Sequence, residues 1–170
     1  MNTRNNTIIR TLACLLALLT LTVCFAACGG KDGGATKGDS LYFSVDNAKI
    51  VIGADADDTI DKLGKWASQN SSNSCGGFSG KDYIYGYSGY RVSTTPSKNG
   101  QIVCKIELTD DSVKTPQGLY IGMSRKDAEA AMKGYTAESV GDNLVYTEGG
   151  TKLQVVFRDG SVSGIVYVAK

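Results

Sequence analysis

Two dipeptides, Asn99-Gly100 and Asp159-Gly160, constrain this chain more than any other feature, because each joins two runs of alternating apolar and polar residues. Such pairs tolerate the positive-φ positions of the tight turns that match the twist of antiparallel strands, so each predicts a β-hairpin. With the shorter glycine turns at Ser88-Gly89 and Glu148-Gly149-Gly150, they divide the chain into two three-stranded meanders. The first comprises Tyr83–Tyr87, Tyr90–Thr95 and Gln101–Leu108; the second comprises Asn143–Thr147, Thr151–Phe157 and Ser161–Ala169. Alternation in the last strand of the first meander places Ile102, Cys104, Ile106 and Leu108 on one face, with Val103, Lys105 and Glu107 on the other. Val162, Gly164, Val166 and Val168 are the counterparts in the second.

A matching pattern precedes each meander. Ile50-Val51-Ile52-Gly53-Ala54-Asp55 and Leu119-Tyr120-Ile121-Gly122-Met123-Ser124 both read as a short apolar strand, a glycine and a helix N-cap. Asp58 and Asp127 stand three residues after the caps, a weaker form of the capping box. Apolar spacing then predicts helices through Ile60, Leu63 and Trp66, and through Ala128, Ala131 and Met132, with Trp66 and Tyr120 in the core. An extra hairpin, Leu41–Val45 turning at Asp46-Asn47 into Lys49–Ile52, opens the folded part, and Thr109–Pro116 links its halves. The expected fold class is α+β: two tandem helix-plus-antiparallel-meander repeats, 41–116 and 117–170, forming one two-layer domain.

The N-terminus reads as an export signal over residues 1–27, with positive Arg4 and Arg10, an uncharged stretch from Thr11 to Ala27, and small residues at its end. Phe25-Ala26-Ala27-Cys28 resembles a bacterial lipobox, which makes Cys28 the expected lipidation site and the lipid the expected membrane anchor. Two other readings stay open: an uncleaved membrane helix, since the stretch nears the ~20 residues such a helix needs, and secretion without lipid. Residues 28–40 contain no large apolar side chain after the cysteine and read as a flexible Gly-rich tether, with a span of roughly 20 Å.

Composition narrows function mainly by exclusion. The chain carries 18 basic and 17 acidic residues; removing Arg4 and Arg10 leaves 16 against 17, a net charge of −1 for residues 28–170. No basic stripe is available to neutralise phosphates, so no nucleic-acid partner is expected. There is no histidine, and no phosphate loop, paired thiol motif or acid pair with a visible role, so no enzyme, no cofactor and no metal site is expected. Asp55, Asp57, Asp58 and Asp61 lack the glycine and distal glutamate of a calcium loop and read as a cap plus acids favoured by the helix dipole.

Two other sets of side chains are candidates. Cys75 and Cys104 are the only cysteines after Cys28; a disulfide is chemically permitted outside the cytoplasm, while Cys104 on a core face would equally serve as a small hydrophobe. Tyr83, Tyr85 and Tyr87 alternate on one face of a strand, with Tyr90 and Arg91 across the turn. With Ile84 buried, the rings would lie on the solvated face as a partner-binding strip, since Tyr and Arg dominate binding hot spots. The reverse parity would bury them as ordinary sheet packing.

The duplicated helix-plus-meander pattern resembles the beta-lactamase-inhibitor-protein fold and the related small lipoproteins of outer-membrane assembly, with Gly122-Met123-Ser124-Arg125-Lys126-Asp127-Ala128 similar to their helix start. Ser74-Cys75, Gly80-Lys81-Asp82, Tyr83-Ile84-Tyr85, Ile121-Gly122 and the run Asp110–Gly118 resemble more closely a family of clostridial-type lipoproteins, over nearly the whole mature chain. The first resemblance implies that a partner protein docks on the sheet face; the second implies anaerobic life, which argues against a Cys75–Cys104 bridge, and brings no activity with it. The expected function is therefore a membrane-anchored, extracytoplasmic, non-enzymatic protein-binding module, inhibitor-like or accessory to envelope assembly, engaging an envelope or secreted protein. A structural role, or binding of cell-wall glycan or a small ligand, is the alternative.

Overall fold

Turn chemistry sets the strands. The computed structural model describes residues 41–170, so the expected export segment, Cys28 and the expected tether lie outside the described residues. In order, the elements are β1 (Phe43–Val45), β2 (Ala48–Ile50), α1 (Ala56–Leu63), β3 (Ser68–Asn73), β4 (Lys81–Tyr87), β5 (Tyr90–Ser97) and β6 (Gly100–Leu108). There follow α2 (Arg125–Ala131), β7 (Ala137–Val140), β8 (Asn143–Glu148), β9 (Thr151–Arg158) and β10 (Ser161–Ala169). β1 and β2 form a hairpin whose central Asp46 and Asn47 both adopt positive φ (47° and 66°), as do Asp159 and Gly160 (52° and 75°) between β9 and β10. At Asn99-Gly100 the turn closes one residue earlier: Ser97 pairs with Gly100, so Lys98 and Asn99 form the loop and the glycine opens β6.

The α+β expectation is overturned. Half of the described residues lie in strands and only 12% in helices, so the protein is mostly β. The eight strands from β3 onward form one antiparallel sheet in the order β3-β4-β5-β6-β10-β9-β8-β7, beside the two-stranded β1–β2 sheet. Instead of two helix-plus-three-strand units, the strands fuse where β6 meets β10, through Leu108 opposite Ile165 and Ile106 opposite Tyr167. β3 and β7 are additional edge strands. Their sequences, Ser-Gln-Asn-Ser-Ser-Asn and Ala-Glu-Ser-Val, are exposed throughout and lack apolar alternation; backbone pairing to β4 and β8 makes them strands despite weak propensity. The helices are short because α1 stops at Gly64, whose φ of 72° favours glycine, leaving Trp66 outside the helix.

Every buried residue of β5, β6, β8, β9 and β10 except Ser93 faces the same side, where α1, α2, the β1–β2 hairpin and the segment around Leu119 contribute to the core. Two bulges tune that face. Ser93 pairs with Lys105 and Thr94 with Val103, leaving Cys104 as the extra residue of β6. Val162 pairs with Phe157 and Gly164 with Val156, leaving Ser163 as the extra residue of β10. The buried residues are therefore Val103, Ile106 and Leu108 in β6 and Val162, Ile165 and Tyr167 in β10. This corrects the expected faces: Ile102 gives way to Val103, and Val166 and Val168 lie opposite the core. Both bulges adjoin the backbone that starts a helix. Gly53 N–H donates to the Val103 carbonyl (2.7 Å) and Val103 N–H to that of Ala54 (2.9 Å); Gly122, Met123 and Val162 repeat the exchange at 2.7 and 2.8 Å.

Gly89 seats the inter-half segment on the sheet. It has φ +81°, and a Cβ there would meet the Ser112 hydroxyl, Asp110 and Val113; Thr109 N–H donates to its carbonyl at 2.8 Å. Gly53 has a similar φ of +86° but nothing within 4 Å. Gly89→Ala is therefore expected to cost about 1–3 kcal/mol by strain and overpacking, clearly more than Gly53→Ala, when denaturant midpoints of the two variants are compared.

Candidate functional site

The structure divides the tyrosine strip. Across β4 and β5, Tyr83 pairs with Thr94, Tyr85 with Val92 and Tyr87 with Tyr90. Thr94, Val92 and Tyr90 are all buried, so the three β4 tyrosines share the core-side face and Ile84, 40% exposed, lies on the other. The expectation of tyrosines on the solvated face is thus reversed in parity. Arg91, opposite Gly86 and Glu107, sits with Ile84 on the far side and belongs to no patch with the rings. Strand parity was undecidable locally, because Ile and Tyr both suit either face of a half-buried strand.

Tyr87 and Tyr90 turn inward. Their rings stack at 4.9 Å and 7°, and Phe43 joins Tyr90 at 5.2 Å. Burial pushes the Tyr90 phenol up to about 12 and raises that of Tyr87. Both line a cavity of about 500 Å³ together with Val45, Leu63 and Val113, with Asp46 and Lys114 also in its wall. The Tyr87 hydroxyl is buried without a hydrogen-bond partner among the described residues. Ser44, Ser88 and Ser112 complete the lining of this recess.

Tyr83 and Tyr85 are half-buried, and Tyr85 packs against the core. Their rings stack at 6.1 Å and 26°, and Trp66 meets Tyr85 edge-on at 5.2 Å and 69°. Trp66, expected in the core, is instead 38% exposed, because Gly64 ends α1 and Ala67 N–H pairs with the Gly86 carbonyl at 2.8 Å, laying the chain alongside β4. Tyr85 is raised by burial, opposed by a hydrogen bond with Gln69. Phe78, in the loop between β3 and β4, is 48% exposed.

The face opposite the core carries the third candidate surface. Glu138, Val145, Gln154, Val166, Glu107 and Arg91 form one row across six strands. Thr147, Lys152, Val168, Lys105, Ser93 and Ile84 form the next. Val140, Val145 and Val156 line a shallow depression of about 280 Å³ there with Glu138, Asn143, Lys152 and Gln154. Lys105 pairs with Glu107 at 3.3 Å beside it. Sequence reasoning missed this valine surface because it took Val166 and Val168 for core.

The remaining candidates are placed plainly. Cys75 and Cys104 are both free thiols. Cys75 is in the β3–β4 loop and Cys104 in β6, with β4 and β5 between; two strand spacings of about 4.8 Å already exceed disulfide reach. Cys104 donates to the Ser93 carbonyl at 3.3 Å, and burial, then Asp82, raises its thiol, so it stays protonated. Asp55 caps α1 by accepting from the Asp58 N–H at 2.9 Å, and no metal-holding acid, Cys or His cluster occurs among the described residues. No helix among them is long and apolar enough to cross a membrane. No protein-family model, no curated protein and no solved structure matches this chain.

Proposed function

We propose that this is an extracytoplasmic lipoprotein, anchored through Cys28, whose β-sheet domain is a non-enzymatic module binding another protein on the sheet face opposite the core. The observation that carries this reading is the anatomy of that face. Val145, Val156, Val166 and Val168 make an apolar patch across β8, β9 and β10, with Gln154 and Lys152 among them, flanked by Arg91, Lys105 and Glu107 on one side and by Glu138 and Val140 of the edge strand on the other. An apolar patch with charged, hydrogen-bonding flanks is how protein interfaces are built. Interspersed signs on the flanks favour a partner of complementary pattern over a polyanion. The binding residues are therefore these valines and not the tyrosine strip.

The test is site-specific photocrosslinking in intact cells. A photoreactive side chain at position 145 is expected to give one dominant protein adduct, lost in Val166→Glu and in a Cys28→Ala chain that leaves the membrane fraction. The same probe at Lys62, exposed on α1, should give none of that adduct. Equal adducts from both positions, or none from 145, would remove the reading.

A further inference from the structure

We propose that Trp66, Tyr85 and Tyr83 form a binding platform for a neutral polysaccharide, a chain of equatorially linked pyranose rings such as a β-1,4-linked glycan. The platform lies on the core-side face at the β3 edge, so this site is independent of the protein-binding face. Three observations lead to it.

First, an exposed Trp66 ring stands beside two half-buried tyrosines, of which Tyr85 also packs against the core. Trp66 stands outside α1 with 38% of its surface exposed, in edge contact with Tyr85, which in turn stacks with Tyr83 6.1 Å away. Aromatic faces carry negative charge density, and the C–H faces of a pyranose present the weakly positive, apolar surface that complements them.

Second, the neighbouring strand supplies hydrogen-bonding groups and no charge. Register puts Gln69 opposite Tyr85 and Ser71 opposite Tyr83. All six residues of β3 are exposed, and none is ionisable. Amides and hydroxyls both donate and accept, which suits the hydroxyl rim of a sugar; charge enters only at the margins, from Lys81 beyond Tyr83 and Asp57 near Tyr85. A hydrogen bond from Gln69 already reaches Tyr85 and opposes the rise that burial causes in its phenol.

Third, the platform is open at the sheet edge. Among the described residues β3 is an edge strand with no outer neighbour in the sheet, so the site is open on that side and a polymer can run across it. Stacking on one exposed and two half-buried rings gives modest affinity per site, which suits a tethered protein holding a polymer at many points.

Trp66 is the only tryptophan in the chain, so its emission reports directly on this site. The full chain in detergent is titrated with the hexamers of β-1,4-linked N-acetylglucosamine and of β-1,4-linked glucose. It is also co-sedimented with protease-treated cell-wall sacculi and with cellulose. The expected result is a saturable change in Trp66 emission with at least one hexamer, and pelleting with the matching polymer. Preference for the amino-sugar pair points to cell-wall glycan; preference for the glucose pair points to an external polysaccharide.

Tyr83→Ser should weaken the fluorescence response about tenfold or more, and Trp66→Ala should weaken pelleting by a similar factor. Val145→Glu should leave both unchanged, which separates this site from the protein-binding face. If Trp66→Ala lowers the melting temperature by more than about 5 °C, Tyr83→Ser decides alone. No saturable response to either hexamer, or undiminished binding by Tyr83→Ser, overturns the proposal.

Discussion

Replacing Tyr167 with alanine is expected to remove about 3–5 kcal/mol of stability, the range for truncating a large buried aromatic. Tyr167 is fully buried on β10, between Ile106 of β6 and Leu153 of β9. Its ring lies 6.3 Å from Phe43, which ties the β1–β2 hairpin to the large sheet. The seam between β6 and β10 is where the two halves of the sheet join, over only four paired residues. A cavity at that point removes packing from both sides at once, and the surrounding strands are too rigid to collapse into it. With typical domain stabilities of about 5–15 kcal/mol, the variant should unfold at a much lower denaturant concentration, and its melting temperature should fall by about 10 °C or more. A loss below about 1 kcal/mol would mean that the seam does not carry the packing described above.

Stability is also expected to stay level near neutrality and fall steeply above pH 10. The level stretch follows from the absence of histidine. The fall follows from buried phenols. Burial raises Tyr90 to about 12 and raises Tyr167 further, with Tyr85, Tyr87 and Tyr146 shifted in the same direction. In the unfolded chain a phenol ionises near 10. Above that value the unfolded state binds fewer protons than the folded one, so stability is full below about pH 10 and is lost as pH rises toward the folded values. Each fully buried phenol contributes a slope of about 1.4 kcal/mol per pH unit. Tyr90 should therefore cost about 2 kcal/mol by pH 12, and Tyr167 adds to the loss in the same direction. Urea midpoints measured from pH 7 to 12 would display the slope, and Tyr90→Phe should make it shallower without abolishing it, since the other buried phenols remain. A flat profile to pH 12 would be incompatible with these rings being buried as phenols.

Much of the strand arrangement was legible because it depends on local chemistry. Asp46-Asn47, Ser88-Gly89, Gly149-Gly150 and Asp159-Gly160 all fall between paired strands, since short turns need residues that tolerate positive φ, and few residue types do. The caps at Asp55 and Ser124 were readable for the same reason: each side chain accepts from the N–H three residues on. Fold class was not readable, because short helical patterns looked equal in weight to the strands, whereas two unpatterned segments, Ser68–Asn73 and Ala137–Val140, paired with exposed sheet edges. The candidate surfaces suffered most. A single extra residue at Cys104 or Ser163 changes which side chains face inward, and a one-residue shift exchanges the two faces of a strand.

The amino-acid sequence by itself determined where the chain turns and where its helices begin. These are short-range matters of dihedral preference, side-chain-to-backbone hydrogen bonds and apolar runs. Only the tertiary structure decided which face of each strand is buried, that eight strands share one sheet, and that Trp66 stands at the surface beside Tyr85. Those outcomes depend on pairing register and bulges, which are set by contacts between residues far apart in the chain.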